Sequence, residues 1–382
     1  MSTPGTSSSP ERVAPPLEFE RAIPDLPFGR MALIAVAVVA VATGLWEYHV
    51  RSLGYAPSLD STPDLWAEWR AAVRPDSTVI IGDSRAWFDM DLDQIQLGLG
   101  RRPIQLAIPG SCAFPVLADF AADEHFHGTV ICSIVPRMFF LPGGPGVRRS
   151  EDAVRRYHTW TPAQEAGHYL WLPLDERLAF LNNDDLALGA LLRHLPIPDR
   201  AGATVAPNPP PYFQKVDRDR RARMFVGAER PGELQDTIRH RWIAIWSMPP
   251  PPYVPPEKFA HDMRTAIDTR LHDTAAAVAR IRARGGSVVF VRFPVSGELK
   301  KLEDRQSPRS GLWERLLKET GAPGIYFEDH AELASFQCPE WSHLSAADSV
   351  EFTKRLVPYL KVALSQPQEL VAAVKSTSGS LR

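Results

Sequence analysis

The chain has 382 residues, of which 44% are apolar, 43 are basic, 45 are acidic and only 3 are cysteines. This composition excludes a chain that is disordered throughout and a small domain held together by disulfides. The net charge of −2 argues against general nucleic-acid binding, and the length fits either one large domain with an insertion or two domains.

The N-terminal region combines a polar leader with one long apolar run. Residues 1–30 are rich in Ser, Pro and Gly and show no periodicity, so they are interpreted as a disordered cytoplasmic tail. The run from Met31 to Trp46 is uncharged, and at about 1.5 Å per residue it covers most of a hydrocarbon core of about 30 Å. Trp46 and Tyr48 suit a membrane interface. These features predict a single-pass transmembrane anchor at 31–50.

Two other interpretations of the apolar run stay open. A buried core helix normally carries a polar stripe, which this segment lacks. A cleaved signal peptide fits the small residues between Ala40 and Thr43, although the leader is long for one. For an uncleaved anchor, the basic residues favour a cytoplasmic N-terminus, so the bulk of the chain is expected outside the cytoplasm. These residues are Arg12, Arg21 and Arg30 before the run and Arg51 and Arg70 after it.

Five short apolar runs bounded by Gly or Pro follow, as is typical of buried parallel strands. Amphipathic segments with helical spacing lie between and after them. Strands that alternate with helices predict an α/β fold with a doubly wound parallel sheet, in a domain covering 60–365 that precedes a disordered tail at 366–382. The runs are 78–82, 103–108, 129–135, 287–293 and 324–327, and the amphipathic segments are 258–284, 311–320 and 345–365.

The alternation stops between about residues 141 and 256, where prolines are concentrated. The segment from His194 to Pro256 holds 13 of the 36 prolines. This density prevents a continuous helix or a central strand, so we interpret 141–256 as a proline-rich insertion that leaves the sheet and returns to it. The run DRDRRAR at 217–223 is interpreted as a solvated face, with a surface for lipid headgroups or an anionic glycan as the alternative.

A serine directly follows the first predicted strand, in the sequence Gly82-Asp83-Ser84-Arg85. Ligands of doubly wound sheets bind beyond the carboxyl ends of the strands, so a nucleophile is useful at this position. Asp83 is interpreted as a turn residue, because aspartate readily binds backbone N–H groups in turns. The α/β-hydrolase pattern G-x-S-x-G is excluded, because Ala86 replaces its second glycine.

A serine nucleophile requires a base that takes its proton and a third group that orients the base. The sequence EWSH at 340–343 precedes the last helix and supplies an acid three residues before a histidine. His343 is the candidate base and Glu340 the candidate orienting acid. Glycine allows close approach of the backbone, so the N–H of Gly110 is the candidate oxyanion donor beside that of Ser84.

Three motifs in this order resemble the SGNH (GDSL-like) hydrolase superfamily: Gly82-Asp83-Ser84 after the first strand, Gly110 after the second, and the acid–x–x–His sequence at 340–343. They resemble in particular its membrane-anchored bacterial subgroup related to polysaccharide O-acetyltransferases, over roughly 76–140 and 285–360. The resemblance implies a three-layer α/β/α sandwich of flavodoxin-like type. It also implies Ser84 as nucleophile, His343 as general base, Glu340 as orienting acid and Gly110 in the oxyanion hole, with no cofactor and no metal.

The function implied by the resemblance is that of a serine ester hydrolase or O-acyltransferase, most simply an O-acetyltransferase. It would act on a cell-envelope or secreted polysaccharide through an acyl-serine, on the periplasmic side of a bacterial inner membrane. An acyl ester or glycan is the expected substrate, and a membrane-bound acyl donor protein is a candidate partner. The alternative is a catalytically inactive SGNH-like domain that binds glycan or scaffolds an envelope polysaccharide complex.

Two positions depart from the family pattern. The family usually has Asp three residues before the histidine, whereas Glu340 is one methylene longer. The family's asparagine after the third strand is missing, and the sequence has Pro136 and Arg137 there, so that Arg137 is the candidate replacement donor to the oxyanion.

Several other residues near predicted strand ends carry weaker signals. Arg85, Arg137 and Arg292 are candidates for binding an anionic substrate, with surface salt bridges as the alternative. Asp329-His330 is a rival acid–base pair, and His125 with His127 lacks a third ligand for a metal. For Cys112 and Cys338, which flank the proposed site in sequence, both a disulfide and a reduced, buried state stay open.

Overall fold

The computed structural model describes residues 27–182, 185–193, 195, 206–250 and 252–365. The chain divides into two compact units, one ending at His49 and the other beginning at Val50. Most of the predicted N-terminal tail and the whole predicted tail at 366–382 lie outside the described residues.

Helix α1 (Phe28–Ser52) carries the apolar run. Its most apolar 18-residue window has a mean hydropathy of 2.0 and is 0% buried, so the helix is long and apolar enough to cross a membrane. It starts earlier than the predicted anchor, because Phe28, Gly29 and Arg30 form its first turn and the N–H of Met31 donates to the carbonyl of Pro27 at 3.1 Å. The predicted tail therefore ends before residue 28.

The second unit is an α/β structure built on a five-stranded parallel sheet, as predicted. Its strand order is β2-β1-β3-β6-β7, and each strand lies inside a predicted apolar run. Both faces of the sheet are covered, because Val79, Ile80 and Ile81 of β1 are all 0% exposed. The strands of this sheet are β1 Thr78–Ile81, β2 Ile104–Gln105, β3 Thr129–Ser133, β6 Ser287–Arg292 and β7 Gly324–Tyr326.

The residues between β3 and β6 contribute no strand to this sheet in the described part of the chain, as an insertion requires. They form a separate antiparallel hairpin of β4 (Gln214–Val216) and β5 (Ala222–Met224) together with several helices. The run DRDRRAR forms the hairpin turn at 217–221 and the first two residues of β5, and it is not a solvated face, because Arg220 and Arg221 are buried. Arg220 is 0% exposed there and donates to the carbonyls of Gln105 at 3.1 Å and Ala107 at 2.9 Å.

Helices of the second unit alternate with the strands of the sheet, and further helices, among them Pro145–His158, Pro162–Asp175 and Glu233–Trp246, lie in the insertion. Two 3-10 helices, Ala179–Leu181 and Phe327–Asp329, accompany them. In chain order the α-helices are α2 Pro63–Ala71, α3 Ser84–Asp89, α4 Leu92–Leu99, α5 Phe114–Ala122, α6 Pro136–Phe139, α7 Pro145–His158, α8 Pro162–Asp175, α9 Leu188–Arg193, α10 Val226–Glu229, α11 Glu233–Trp246, α12 Pro256–Ala283, α13 Gly297–Gln306, α14 Arg309–Thr320, α15 Ala331–Ala334 and α16 Ala346–Ser365.

The helices around the sheet pack in two groups. Helix α12 packs against α5 and α14, whereas α16 packs against α3 and α4. Local sequence explains where these helices begin. Pro256 lies in the first turn of α12, where its missing N–H costs nothing, and the carboxylate of Asp91 caps α4 by accepting from the N–H of Gln94 at 2.9 Å.

Candidate active site

Ser84 is the first residue of α3 and comes directly from β1 through a tight turn. Gly82 has φ +146, and a Cβ placed there would lie 2.4 Å from the Cβ of Ser133, so only glycine fits. The carboxylate of Asp83 caps α3 by accepting from the N–H of Arg85 at 2.8 Å and also accepts from the Ser133 hydroxyl at 3.1 Å. Asp83 is therefore the turn residue that the sequence predicts, and it holds Ser84 at the sheet edge.

The structure brings Ser84, His343 and Glu340 together, although Ser84 is 259 residues from His343. The Ser84 Oγ lies 2.8 Å from His343 Nε2, and His343 Nδ1 lies 3.0 Å from Glu340 Oε1. If the ring proton is on Nδ1, Nδ1–H donates a hydrogen bond to Glu340, and Nε2 accepts one from the serine hydroxyl. The three groups thus have the geometry of a nucleophile, a base within hydrogen-bond reach and an acid that sets the tautomer.

The carboxylate of Glu340 is held by more than the histidine ring. Its Oε1 also accepts from the backbone N–H groups of Ser342, at 3.1 Å, and of His343. Its Oε2 accepts from the indole N–H of Trp242, which belongs to α11 in the insertion. These contacts fix the orientation of a carboxylate that is one methylene longer than the aspartate of the resembled family.

Aromatic rings enclose the His343 imidazole, which is 0% exposed. The ring centroids of Phe88, Trp242 and Phe213 lie 4.5, 5.7 and 6.0 Å from that of His343. Two of these rings come from the insertion, so the segment that interrupts the sheet forms one wall of the site. The enclosure excludes water from the His343–Glu340 pair and thereby strengthens its electrostatic interaction.

The loop that carries Glu340 and His343 has a strained backbone. Trp341, between them, has φ +78, a conformation that non-glycine residues rarely adopt. Neighbouring groups hold it there. The Trp341 carbonyl accepts from the N–H of Ser296 at 2.9 Å, and a Cβ on Gly297 would lie 2.3 Å from the indole Nε1 of Trp341. Gly297 therefore provides the space in which this loop conformation is possible.

Gly110 lies in the loop after β2, at the same edge of the parallel sheet as Ser84. Its φ is +64, so the left-handed backbone at this position favours glycine. The Arg149 guanidinium covers it, and donates to the neighbouring carbonyl of Pro109 at 3.2 Å. A role for its N–H in an oxyanion hole stays a prediction.

Arg137, the candidate replacement for the family asparagine, is directed to other groups. Its guanidinium donates to the carbonyl of Trp246 and to Gln306 Oε1, the latter at 3.2 Å, and it lies 5.1 Å from the centroid of the Trp246 ring. Burial lowers the pKa of Arg137. These contacts tie α6 to α11 and α13, and they argue against Arg137 as an oxyanion donor or a substrate ligand.

Arg85 and Arg292 meet at one buried carboxylate, that of Glu303 in α13. Arg85 contacts both oxygens of Glu303, with Nη1 at 3.1 Å from Oε2, and Arg292 donates to Oε2 as well. The two arginines are 1% and 3% exposed. This arrangement argues against their binding an anionic substrate, because both guanidiniums are enclosed and share a counter-charge.

Asp89, at the end of α3, is a buried carboxyl that the sequence reasoning missed. Its Oδ1 accepts from the N–H of Leu344 at 2.8 Å, next to the histidine loop, whereas Oδ2 has no hydrogen-bond partner among the described residues. Burial raises the pKa of Asp89 well above its ordinary value, and the nearby carboxylate of Glu340 raises it further. Asp89 thus links the nucleophile helix to the loop of the base.

The remaining candidates lie in other surroundings. Asp329 pairs with Arg309 at 2.7 Å and His330 packs on the Tyr359 ring, which accounts for this rival pair without the serine. All three cysteines are free and buried, so Cys112 and Cys338 form no disulfide. The part of the chain that the structure describes contains no group of three or more His, Cys, Asp or Glu side chains able to hold a metal.

The fold and the site together define an α/β protein with a Ser–His–Glu constellation at the carboxyl end of the first strand, in which His343 and Glu340 are buried and Ser84 is half-buried. No protein-family model and no curated protein matches the chain.

Trp242 offers a test of how the insertion supports the site. The change Trp242→Phe keeps a ring against His343 but removes the N–H that Glu340 accepts. A hydrogen bond to a charged group is worth about 1.5 kcal/mol or more, so we expect kcat for ester hydrolysis to fall about tenfold, with little change in KM. Trp246→Phe, one turn further along α11, is the matched control. Equal rates for the two variants would contradict this role.

Proposed function

We propose that this chain is an SGNH-type serine esterase or O-acyltransferase, attached to a membrane by α1. The observation that carries the proposal is the line of contacts from Ser84 Oγ to His343 Nε2, 2.8 Å, and from His343 Nδ1 to Glu340 Oε1, 3.0 Å. The parallel sheet and its two groups of packed helices support the three-layer α/β/α sandwich of that superfamily.

The proposed reaction begins when Ser84 Oγ attacks the carbonyl carbon of an acyl ester, while the serine proton passes to His343 Nε2. The backbone N–H groups of Ser84 and Gly110 stabilise the oxyanion of the tetrahedral intermediate. His343 then protonates the leaving alkoxide, and the acyl group stays on Ser84. Throughout, Glu340 stabilises the imidazolium and keeps its orientation.

The acyl-serine is resolved by a hydroxyl that gives its proton to His343. Water yields a carboxylic acid, as in an esterase, and a sugar hydroxyl yields a new ester, as in an O-acyltransferase; both regenerate Ser84. We propose that the acyl group is acetyl and that the acceptor is a cell-envelope or secreted polysaccharide, with a membrane-bound acyl donor protein as partner. The site of action is the periplasmic face of a bacterial inner membrane.

A second candidate is a catalytically inactive SGNH-like domain that binds glycan or scaffolds an envelope polysaccharide complex. The observation in its favour is Arg137, because the residue at the position of the family's oxyanion asparagine is engaged with Trp246 and Gln306. An oxyanion hole of two backbone N–H groups would then have to serve without a side-chain donor.

Covalent labelling distinguishes the two candidates. A fluorescent fluorophosphonate reacts with activated serines, so the wild-type full chain is expected to be labelled and the Ser84→Ala variant is not. Circular dichroism of both proteins controls for folding. Equal labelling of both would exclude Ser84 as the nucleophile, whereas a folded wild-type protein that takes no label would favour the inactive domain.

A further inference from the structure

Helix α9 presents an apolar stripe outward. Leu188, Leu191 and Leu192 follow the i, i+3, i+4 spacing that normally faces a core, yet they are 73%, 47% and 50% exposed, and Leu195, beyond the end of the helix, is 52% exposed. Ala190, on another side of the helix, is only 2% exposed, so that side packs against the rest of the second unit. No residue in the described part of the chain buries these leucines.

The second half of α8 adds to this exposed surface. Leu170 is 78% exposed, Trp171 51% and Tyr169 47%, although these are large apolar or aromatic side chains. The helix is attached by its other side, where Leu172 is buried and the His168 ring bonds the Glu68 carboxylate at 2.8 Å. We call the exposed apolar residues of α8 and α9 together the α8–α9 surface.

Two hydrogen bonds connect the segment between α8 and α9 to residues at and just after the end of α1. Arg51, in the last turn of α1, donates to the carbonyl of Arg177, which follows α8, at 2.8 Å. The Tyr55 hydroxyl donates to Asp185 Oδ2, which precedes α9, at 3.0 Å. The chain that joins α8 to α9 is thus bound at both ends to residues within a few positions of the end of α1.

We infer that the α8–α9 surface lies in the headgroup and acyl boundary of the bilayer that α1 crosses. The inference rests on the proposed membrane anchorage by α1 and is independent of the proposed chemistry. A large exposed apolar surface marks an interaction site. Arg51 and Tyr55 bind the segment between α8 and α9, so a bilayer crossed by α1 would begin only a few residues from this surface. Trp171 and Tyr169 are residue types enriched at membrane interfaces, and Arg51 and Arg177 suit anionic headgroups.

This contact gives the second unit two attachments to the membrane. The first is the covalent connection at residues 50–52, and the second is the apolar surface, which binds more strongly as more of its area enters the bilayer. A domain held at two points loses most of its freedom to rotate about a single tether. The orientation of the second unit relative to the membrane is then restricted.

Site-specific fluorescence in vesicles tests the inference with the full chain. The three native cysteines are buried, so single cysteines at Leu170→Cys, Leu191→Cys and Leu97→Cys can be labelled with an environment-sensitive nitrobenzoxadiazole dye. Leu97, in α4, is the matched control because it is 78% exposed, as Leu170 is. Vesicles of phosphatidylcholine and phosphatidylglycerol are prepared with and without brominated acyl chains, which quench the dye only within the bilayer.

We expect a blue-shifted emission and strong quenching by brominated lipid at positions 170 and 191, and neither effect at position 97. Emission at 170 and 191 that matches 97 would overturn the inference. A blue shift without lipid quenching that grows with the protein-to-lipid ratio would overturn it in favour of a second copy of the chain. Loss of the whole protein from the vesicles at alkaline pH would instead refute the anchor, while fluorophosphonate labelling tests the chemistry separately.

Discussion

Replacement of Ser84 by alanine is expected to lower kcat for hydrolysis of an acetyl ester by about 10⁴-fold to 10⁶-fold. Without the Oγ no acyl-serine forms, and only oxyanion stabilisation and binding remain to assist direct attack by water. His343→Ala is expected to have a similar effect, because an unassisted serine hydroxyl is a weak nucleophile. Initial rates with p-nitrophenyl acetate, measured on detergent-solubilised full chain, give both numbers.

The double variant shows whether Ser84 and His343 act as one catalytic unit or contribute to the rate independently. Residues that act as a unit are strongly non-additive, so Ser84→Ala combined with His343→Ala should be little slower than either change alone. Ser345→Ala is the matched serine control, since its hydroxyl bonds Asp348 at 2.8 Å and not the histidine. A Ser84→Ala variant as active as this control would remove Ser84 from the mechanism.

The Glu303→Gln change is expected to lower the free energy of unfolding by about 3–5 kcal/mol, the usual cost of removing one partner from a buried ion pair. Two enclosed guanidiniums, those of Arg85 and Arg292, would lose their shared negative charge. Burial alone would raise the pKa of Glu303, but the two arginines and their hydrogen bonds lower it from 4.5 to about 2. Denaturant titration of the full chain in one detergent measures the loss.

The low pKa of Glu303 also sets the pH dependence of this effect. Because the folded-state pKa lies below the unfolded one, the stabilisation is complete above the ordinary value of 4.5 and is lost as the pH falls toward 2. The difference in the free energy of unfolding between wild type and Glu303→Gln should therefore become smaller as the pH is lowered. Glu314→Gln, at an exposed carboxylate 3.6 Å from Arg309, should cost less than about 1 kcal/mol. If the free energy of unfolding changed with pH in the same way in wild type and Glu303→Gln, the ion pairing of Glu303 with Arg85 and Arg292 would be contradicted.

The fold was largely predictable because its signals are local. Each strand of the parallel sheet lies within an apolar run bounded by Gly or Pro, and the predicted segments at 258–284, 311–320 and 345–365 match α12, α14 and α16 within two residues. Apolar runs and helical spacing act over a few neighbouring residues, so they can be read without knowing what they pack against. The motif spacing likewise indicated Ser84, Glu340 and His343, because strand ends and pre-helix loops meet at one sheet edge.

The partners of side chains far apart in sequence were decided only by the tertiary structure. Arg85 and Arg292 carry the same charge in a strand-end motif whether they face a substrate or a buried acid, and only the placement of Glu303, 218 residues from Arg85, gives the answer. The sequence allowed the proline-rich insertion to shape the substrate cleft, but only the tertiary structure places its Trp242 and Phe213 rings against His343. A residue's type sets what it can bind, whereas long-range packing selects which of its potential partners it meets.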